Sequence, residues 1–403
     1  MRVLGMISGT SHDGIDTAVV DFRVEGERLV ARIEYSTSTE YEPELRARLI
    51  DALPPAPVGF DVACQLDTAI GKAFAGAAAD AIQAHRRSDW NPVDLICSHG
   101  QTVYHWVEGP AARGTLQLGQ PAWIAESTGL PVISDVRAAD IAAGGQGAPL
   151  VSVLDVLLLG TFLEQSRSAS ALNLGGISNA TICSRGTDPV ASDIGPANAL
   201  IDAVITASPD VVGTHDHGGD IARSGRVVSD LLTHLLAEPY YRLAAPKSSG
   251  KEMFHLAYVQ AALRQTALNP SLPDLVATLT ELTAVTVAEA LLATRTQVVV
   301  ASGGGVRNHY LMERLEALMP EVKIMRSDEL GVPADHKEAM AFALIGWATV
   351  HGLPSNVPSC TGASGQRVLG RITPGRLGLL PQQPAQTAWP TTLNVESAGQ
   401  CNG

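Results

Sequence analysis

A duplicated α/β architecture, one plan used twice, follows from three features of this chain. Its 403 residues, 45% of them hydrophobic and 17% charged, suffice for two domains that each bury a core. Each half opens on a polar turn between apolar strands. The first runs through Gly9, Thr10, Ser11, His12, Asp13 and Gly14 to Ile15 and Asp16; the second runs through Gly175 and Gly176 to Ser178 and Asn179. Each half then continues as three strands followed by alternating helix and strand.

In the first half the pattern predicts strands over residues 3–7, 15–22 and 29–35 and helices over 43–53 and 62–85. Residues 62–85 are alanine-rich, with apolar side chains at helical spacing. Strands over 94–98 and 115–118, a helix over 121–128 and a strand over 131–134 complete the half. The second half predicts strands over 169–174, 177–183 and 189–193, then helices over 197–207, 220–236, 251–265 and 273–294. A strand over 297–301, a helix over 308–318, a strand over 322–325 and a helix over 336–351 follow. This order fits two ribonuclease-H-like domains with an interdomain cleft for ligands. The expected limits are 1–134 for the first domain, with 353–378 packing back on it, and 135–352 for the second. Residues 379–403, rich in Pro, Gln and Gly, are expected to form a disordered tail.

A net charge of −13 with no basic stripe argues against nucleic acid as a partner. Five scattered cysteines without a CxxC pair fit reduced thiols and a cytoplasmic location. Residues 1–5 enter a strand at once, so no leader is expected. The run 151–162 reads as a buried helix, and no apolar run is expected to approach the ~20 residues of a membrane span.

Glycines in the two turns let backbone N–H groups approach phosphate oxygens. Ser8, Thr10, Ser11 and Ser178 add donors, and Asp13 or Asp16 can hold Mg²⁺ directly or through water. Residues 248–252 mimic a P-loop, but Glu252 stands where Ser or Thr would bind the metal. Gly303, Gly304 and Gly305 do not make a dinucleotide fingerprint, because Asn308 occupies the last glycine position. That segment either admits a flat adenine ring or is an ordinary tight turn. Asp193, near the end of a strand and before a helix, suits a general base or a helix cap. Arg137 suits a carboxylate clamp or an Asp–Arg pair, and His99 reads as a hydrogen-bonded structural residue.

Ten blocks in order resemble the anhydro-N-acetylmuramic acid kinase family of the sugar kinase–Hsp70–actin superfamily. They are GMISGTSHDGID, CSHGQTVYH, SDVRAADIAAGGQGAPL, LNLGGISNAT, SDIGPANALID, HDHGGDIARSG, PKSSGKEMF, ASGGGVRN, HKEAMAFALIGW and TGASGQRVLGRI. The resemblance spans residues 4–375 and implies two actin-like ATPase domains. It implies a cytoplasmic homodimer in peptidoglycan recycling that uses ATP and Mg²⁺. The implied reaction hydrolyses the anhydro bond of 1,6-anhydro-N-acetylmuramic acid and phosphorylates O6. Another 1,6-anhydrosugar such as levoglucosan is the alternative substrate, and a non-catalytic sugar sensor the alternative role. By the same resemblance Asp193 is the base, and residues Gly9 to Asp16 with Gly175, Gly176 and Asn179 bind ATP phosphates. Gly303, Gly304, Gly305 and Asn308 then lie by the nucleoside, while Thr102, Arg137 and Glu338 contact the sugar. The chain departs from the family at Gln120, where an acidic residue often stands.

Overall fold

In the computed structural model the chain divides into two units, Met1–Thr161 with Leu330–Val332 and His336–Gly403, and Phe162–Glu329 with Pro333–Asp335. The structure describes residues 1–9, 12–109, 111–209, 211, 213–245, 247, 253–376, 378–380, 386 and 388–396. The strands are β1 (Arg2–Ser8), β2 (Gly14–Glu25), β3 (Arg28–Glu40), β4 (Leu95–Glu108), β5 (Ala111–Leu118) and β6 (Val132–Ser134). They continue with β7 (Ser168–Leu174), β8 (Ile177–Ser184), β9 (Val190–Pro196), β10 (Val298–Ser302), β11 (Lys323–Arg326), β12 (Arg371–Thr373) and β13 (Thr392–Glu396).

The first sheet runs β12-β6-β4-β1-β2-β3-β13, with β5 paired to β4; the second runs β11-β10-β7-β8-β9. At the centre of the first sheet β1 is antiparallel to β2, β2 is antiparallel to β3, and β4 and β6 run parallel to β1 and β4. The second sheet repeats that pattern: β7, β8 and β9 antiparallel, β10 parallel to β7, β11 parallel to β10. Both units therefore have ribonuclease-H-like strand order.

The helix Phe60–Arg86 buries Leu66, Ile70, Phe74, Ala78 and Ile82 on one stripe, packed with Leu4, Met6, Val19 and Ile96 of the first sheet. The helix Lys337–Val350 is apolar nearly all round. It meets β1 backbone to backbone, because a Cβ on Gly5 would overlap the Ala339 carbonyl oxygen, and one on Gly346 would lie 2.7 Å from Cys97 Cβ. That close fit corrects the expected boundaries. Residues 135–161 and 336–352, expected in the second domain, belong to the first unit, since the chain crosses back in a way that order along the sequence does not reveal.

The tail expectation is also corrected. Within 379–403, β13 pairs in parallel with β3, Trp389 Nε1 donates to Pro354 O at 2.5 Å, and Leu393 is buried. The expected helix 220–236 is two helices, Asp220–Ser224 and Ser229–Leu236. Gly225 breaks it in extended backbone, where a Cβ would overlap the Pro273 carbonyl. Leu272–Ala293 has the length and hydropathy of a bilayer span, contrary to the expectation that no run does, and 78% of its most apolar window is buried. It is a core helix of the second unit, with Thr280 and Thr286 hydroxyls donating back to the Val276 and Leu282 carbonyls at 2.9 Å.

Candidate active site

The first unit braces its glycine turn from beneath. Buried Gln101 donates through Nε2 to Gly9 O at 3.1 Å, and Ser8 Oγ lies 2.6 Å from both Gln101 Oε1 and Gly14 O. His12 N donates to Gly9 O at 3.3 Å, and Tyr41 N to Asp13 O at 3.0 Å. Gly14 is required where it sits, because a Cβ there would meet Thr39 O at 2.5 Å. Thr10 and Ser11 lie outside the described residues, as do residues 248–252. Ile15 is buried in the core beneath the turn. Asp13 is exposed, while half-buried Asp16 accepts through Oδ1 from Ser38 Oγ at 2.5 Å. Carboxylate oxygens of this kind are donors that Mg²⁺ prefers. Among the described residues no three His, Cys, Asp or Glu side chains form a metal-binding group, so a cation here would draw its remaining ligands from phosphates and water.

Also in the first unit, Arg137 opens the short helix Ala138–Ala142. Its Nε donates to His99 Nε2 at 2.8 Å, and His99 Nδ1 donates to Gly100 O at 2.9 Å. Among the described residues the Asp–Arg pair weighed for Arg137 does not form: Asp135 pairs with Arg371 at 2.6 Å. Burial and the Arg137 charge hold the His99 pKa well below its ordinary 6.5. Glu338 stands in the first turn of the helix Lys337–Val350. Though part of its surface is open to solvent, desolvation lifts its carboxyl above the ordinary range, Arg137 opposing and Asp16 adding to the rise. Thr102, half-buried on β4, accepts through Oγ1 from Gln117 Nε2 at 3.1 Å. Gln120 caps the helix Pro121–Thr128, its side chain 3.5 Å from Ala122 N. The glycine stretch after Arg137 wraps buried Asp140, which accepts from Gly147 N at 2.8 Å and from Asn356 Nδ2 and Thr361 Oγ1 at 2.7 Å.

In the second unit Asp193 lies within β9, opposite Asn179 of β8. A bulge follows at once, since Ser178 pairs with Gly195 and Ile194 is the extra residue; bulges re-aim neighbouring side chains. Asp193 N donates to Lys247 O at 2.9 Å, and its carbonyl accepts from Tyr240 OH at 3.3 Å. The helix that follows is capped by Ala197 with no side-chain bond, so Asp193 is not its cap. The second glycine turn is braced by backbone: Gly175 O accepts from Asn198 N at 3.0 Å, and Gly176 O from Ala197 N at 2.9 Å.

The 302–308 segment is a tight turn. Gly303, at φ +84°, and Gly305 pack so closely on Leu174 that a Cβ on either would lie 2.9 Å from its carbonyl oxygen. Gly304 faces open space. Asn308 is the N-cap of the helix His309–Leu318, its Oδ1 accepting from Leu311 N at 2.9 Å.

A family model described as anhydro-N-acetylmuramic acid kinase matches residues 1–375. The chain belongs to the anhydro-N-acetylmuramic acid kinase family. A relative of that name from Rhodococcus erythropolis is 49% identical over 404 residues, covering 98% of this chain and 100% of the relative. One from Streptomyces coelicolor is 50% identical over 385 residues, covering 96% and 97%. Among solved structures, an activator of 2-hydroxyisocaproyl-CoA dehydratase from Clostridium difficile with bound ADPNP matches at TM-score 0.38 and 13% identity, covering 86% of this chain and 94% of that one. The strand order, not this likeness, carries the fold. Membership of the anhydro-N-acetylmuramic acid kinase family makes the chain an enzyme, a kinase.

Sequence reasoning gave Gln101 no role, and it read His99 as a hydrogen-bonded residue without finding its Arg137 partner. Each lies in the stretch Ser98-His99-Gly100-Gln101-Thr102, where polar residues inside a strand are the available signal. It also missed the buried Lys337–Asp155 ion pair at 2.6 Å beside Glu338, whose members are far apart in sequence.

Proposed function

We propose that this kinase acts on 1,6-anhydro-N-acetylmuramic acid, opening its anhydro ring with water and placing the γ-phosphoryl group of ATP on O6. The family membership supports the substrate; the placement of Asp193 at a bulge rather than at a helix cap is the observation that supports the chemistry. Asp193 takes a proton from water as the water oxygen bonds to the anomeric carbon. The C1–O6 bond breaks and O6 bonds to the γ-phosphorus, while the bond from that phosphorus to the β,γ-bridging oxygen breaks to release ADP. The proton on Asp193 then passes to solvent. O6 is a poor leaving group unless it acquires the phosphoryl group, so the two bond changes are coupled.

Phosphoryl transfer needs mainly positioning and charge neutralisation. Gly9, Thr10, Ser11, His12, Asp13, Gly14, Ile15 and Asp16 would form the phosphate turn of the first unit, and Gly175, Gly176 and Asn179 that of the second. Gly303, Gly304, Gly305 and Asn308 would border the nucleoside, with Gly304 offering the open backbone. Thr102, Arg137 and Glu338 would hold the sugar, Arg137 by its lactyl carboxylate. Mg²⁺, held by Asp13 or Asp16, would neutralise phosphate charge. A cytoplasmic place in cell-wall recycling and a homodimeric state complete the reading.

The test is ADP release with Mg-ATP on 1,6-anhydro-N-acetylmuramic acid and on levoglucosan, with the product weighed. The expected result is a product heavier by phosphate plus water from the muramic substrate alone. Turnover of levoglucosan alone would overturn the substrate.

A further inference from the structure

His99 is held so that its protonation state is determined by its partners. Gly100 sits at φ +76°, and a Cβ there would meet Leu118 O at 2.6 Å, so this backbone is reserved for glycine and its carbonyl is fixed. That carbonyl can only accept, so His99 Nδ1, 2.9 Å away, carries the proton. Arg137 Nε can only donate, so His99 Nε2, 2.8 Å away, offers its lone pair. The ring is therefore neutral. It is buried, and its centroid lies 4.7 Å from that of Phe342, on the helix that bears Glu338.

Arginine meets carboxylates either side-on, through Nε and one Nη, or end-on, through both Nη groups. With Nε committed to His99, the end-on fork remains. No ion pair to Arg137 occurs among the described residues, and its neighbour Asp135 is paired with Arg371. A carboxylate in the place of His99 would orient the guanidinium equally well but would cancel its charge. A neutral imidazole orients it and adds no negative charge to that of Glu338, which already acts on Arg137.

We propose that His99 is a positioning residue that aims the two Nη groups of Arg137 end-on at the carboxylate of the sugar substrate while adding no negative charge beside the arginine. This rests on the reading of Arg137 as the carboxylate partner. The test compares the muramic substrate with its lactyl carboxamide, which keeps the sugar and loses the charge, in wild type and in His99→Phe, His99→Gln, His99→Asn and Arg137→Met.

His99→Phe keeps the ring volume and loses the acceptor. It should raise KM for the acid about tenfold, as expected for one charge-assisted hydrogen bond, with KM for ATP and for the carboxamide unchanged. His99→Gln can place an oxygen near Nε2 and should restore most of the acid's affinity. His99→Asn reaches only the Nδ1 position and should not, so the Gln–Asn contrast decides the matter even where the Phe variant fails to fold. The proposal is overturned if Arg137→Met raises KM for the acid while His99→Phe and His99→Asn do not. It is overturned as well if these variants weaken acid and carboxamide alike. If Arg137→Met itself fails to distinguish acid from carboxamide, the carboxylate reading falls and this step falls with it.

Discussion

The two glycine turns open sheets that share one five-strand order, yet only the first is braced by a buried glutamine reaching across the sheet. In the first unit the turn between β1 and β2 hangs on side chains: Gln101 reaches across from β4 to Gly9, with Ser8 against it. In the second unit the turn between β7 and β8 hangs on backbone, its carbonyls accepting from the first N–H groups of the helix Asn198–Thr206. A helix N-terminus supplies such donors in any sequence, whereas a glutamine brace exists only where glutamine is encoded. The strand plan is thus robust to sequence, and the bonds that brace its turns differ between the units.

The proposed chemistry divides along the same line. Arg137 and Glu338, the charged groups assigned to sugar recognition, stand in the first unit, and Asp193 in the second. Asp193→Asn should therefore give the largest effect, lowering turnover about a thousandfold while leaving the melting temperature and the sugar affinity near wild type. Equal loss of sugar affinity would place Asp193 in binding instead of proton transfer.

Gly5→Ala should come next. The added methyl overlaps the Ala339 carbonyl and pushes the helix Lys337–Val350 off β1, costing about 3 kcal/mol by urea unfolding. A loss below 1 kcal/mol would mean that this helix contact yields easily.

Gln101→Leu separates the two turns. Removing the brace takes one of two partners from the Ser8 hydroxyl and from the Gly9 carbonyl, and the Gln101 contact from Tyr41 OH, for about 1–3 kcal/mol, and KM for ATP should rise. Asn198→Ala in the second unit removes only a 3.3 Å contact to Leu174 O and should cost less. Equal costs would erase the contrast between side-chain and backbone bracing.

A pH series sharpens the first unit further. His99 has a folded pKa below its ordinary value, so its contribution to stability is present above pH 6.5 and is lost as pH falls below that value. Arg137 faces the ring, and His105, also depressed by burial and by Arg137, acts in the same direction. The wild type should lose up to about 1.4 kcal/mol per pH unit through His99, and His99→Phe should show a flatter slope between pH 7 and 5. Parallel slopes would show that His99 titrates normally. The smallest effect is expected at Gly304→Ala, where open space should keep stability within about 0.5 kcal/mol. Any rise in KM for ATP there would report the nucleoside directly.

The duplicated strand order was legible because period-two apolar runs and glycine turns are local signals. The path of the chain between units was not, since Gly5 and Gly346 reveal their purpose only once a helix lies against them. The β13 strand was hidden for a related reason: Leu393 and Val395 sit in a Pro- and Gln-rich stretch whose composition suggests disorder, and β3 supplies the pairing from a distant part of the chain. At the site, Asp193 and Arg137 stood out by residue type, but the bulge beside one and the histidine beneath the other are matters of register. Likewise the capping of the helix His309–Leu318 by Asn308 was not read from the sequence, because capping and ligand binding draw on the same polar side chains.

The measurement that bears most directly on the proposed chemistry is one turnover series in H₂¹⁸O, with the sugar phosphate analysed at once by mass and by position. Water attack at the anomeric carbon predicts one ¹⁸O per product, at C1, and none in the phosphoryl group. Label in the phosphoryl group, or an unlabelled C1, would contradict it.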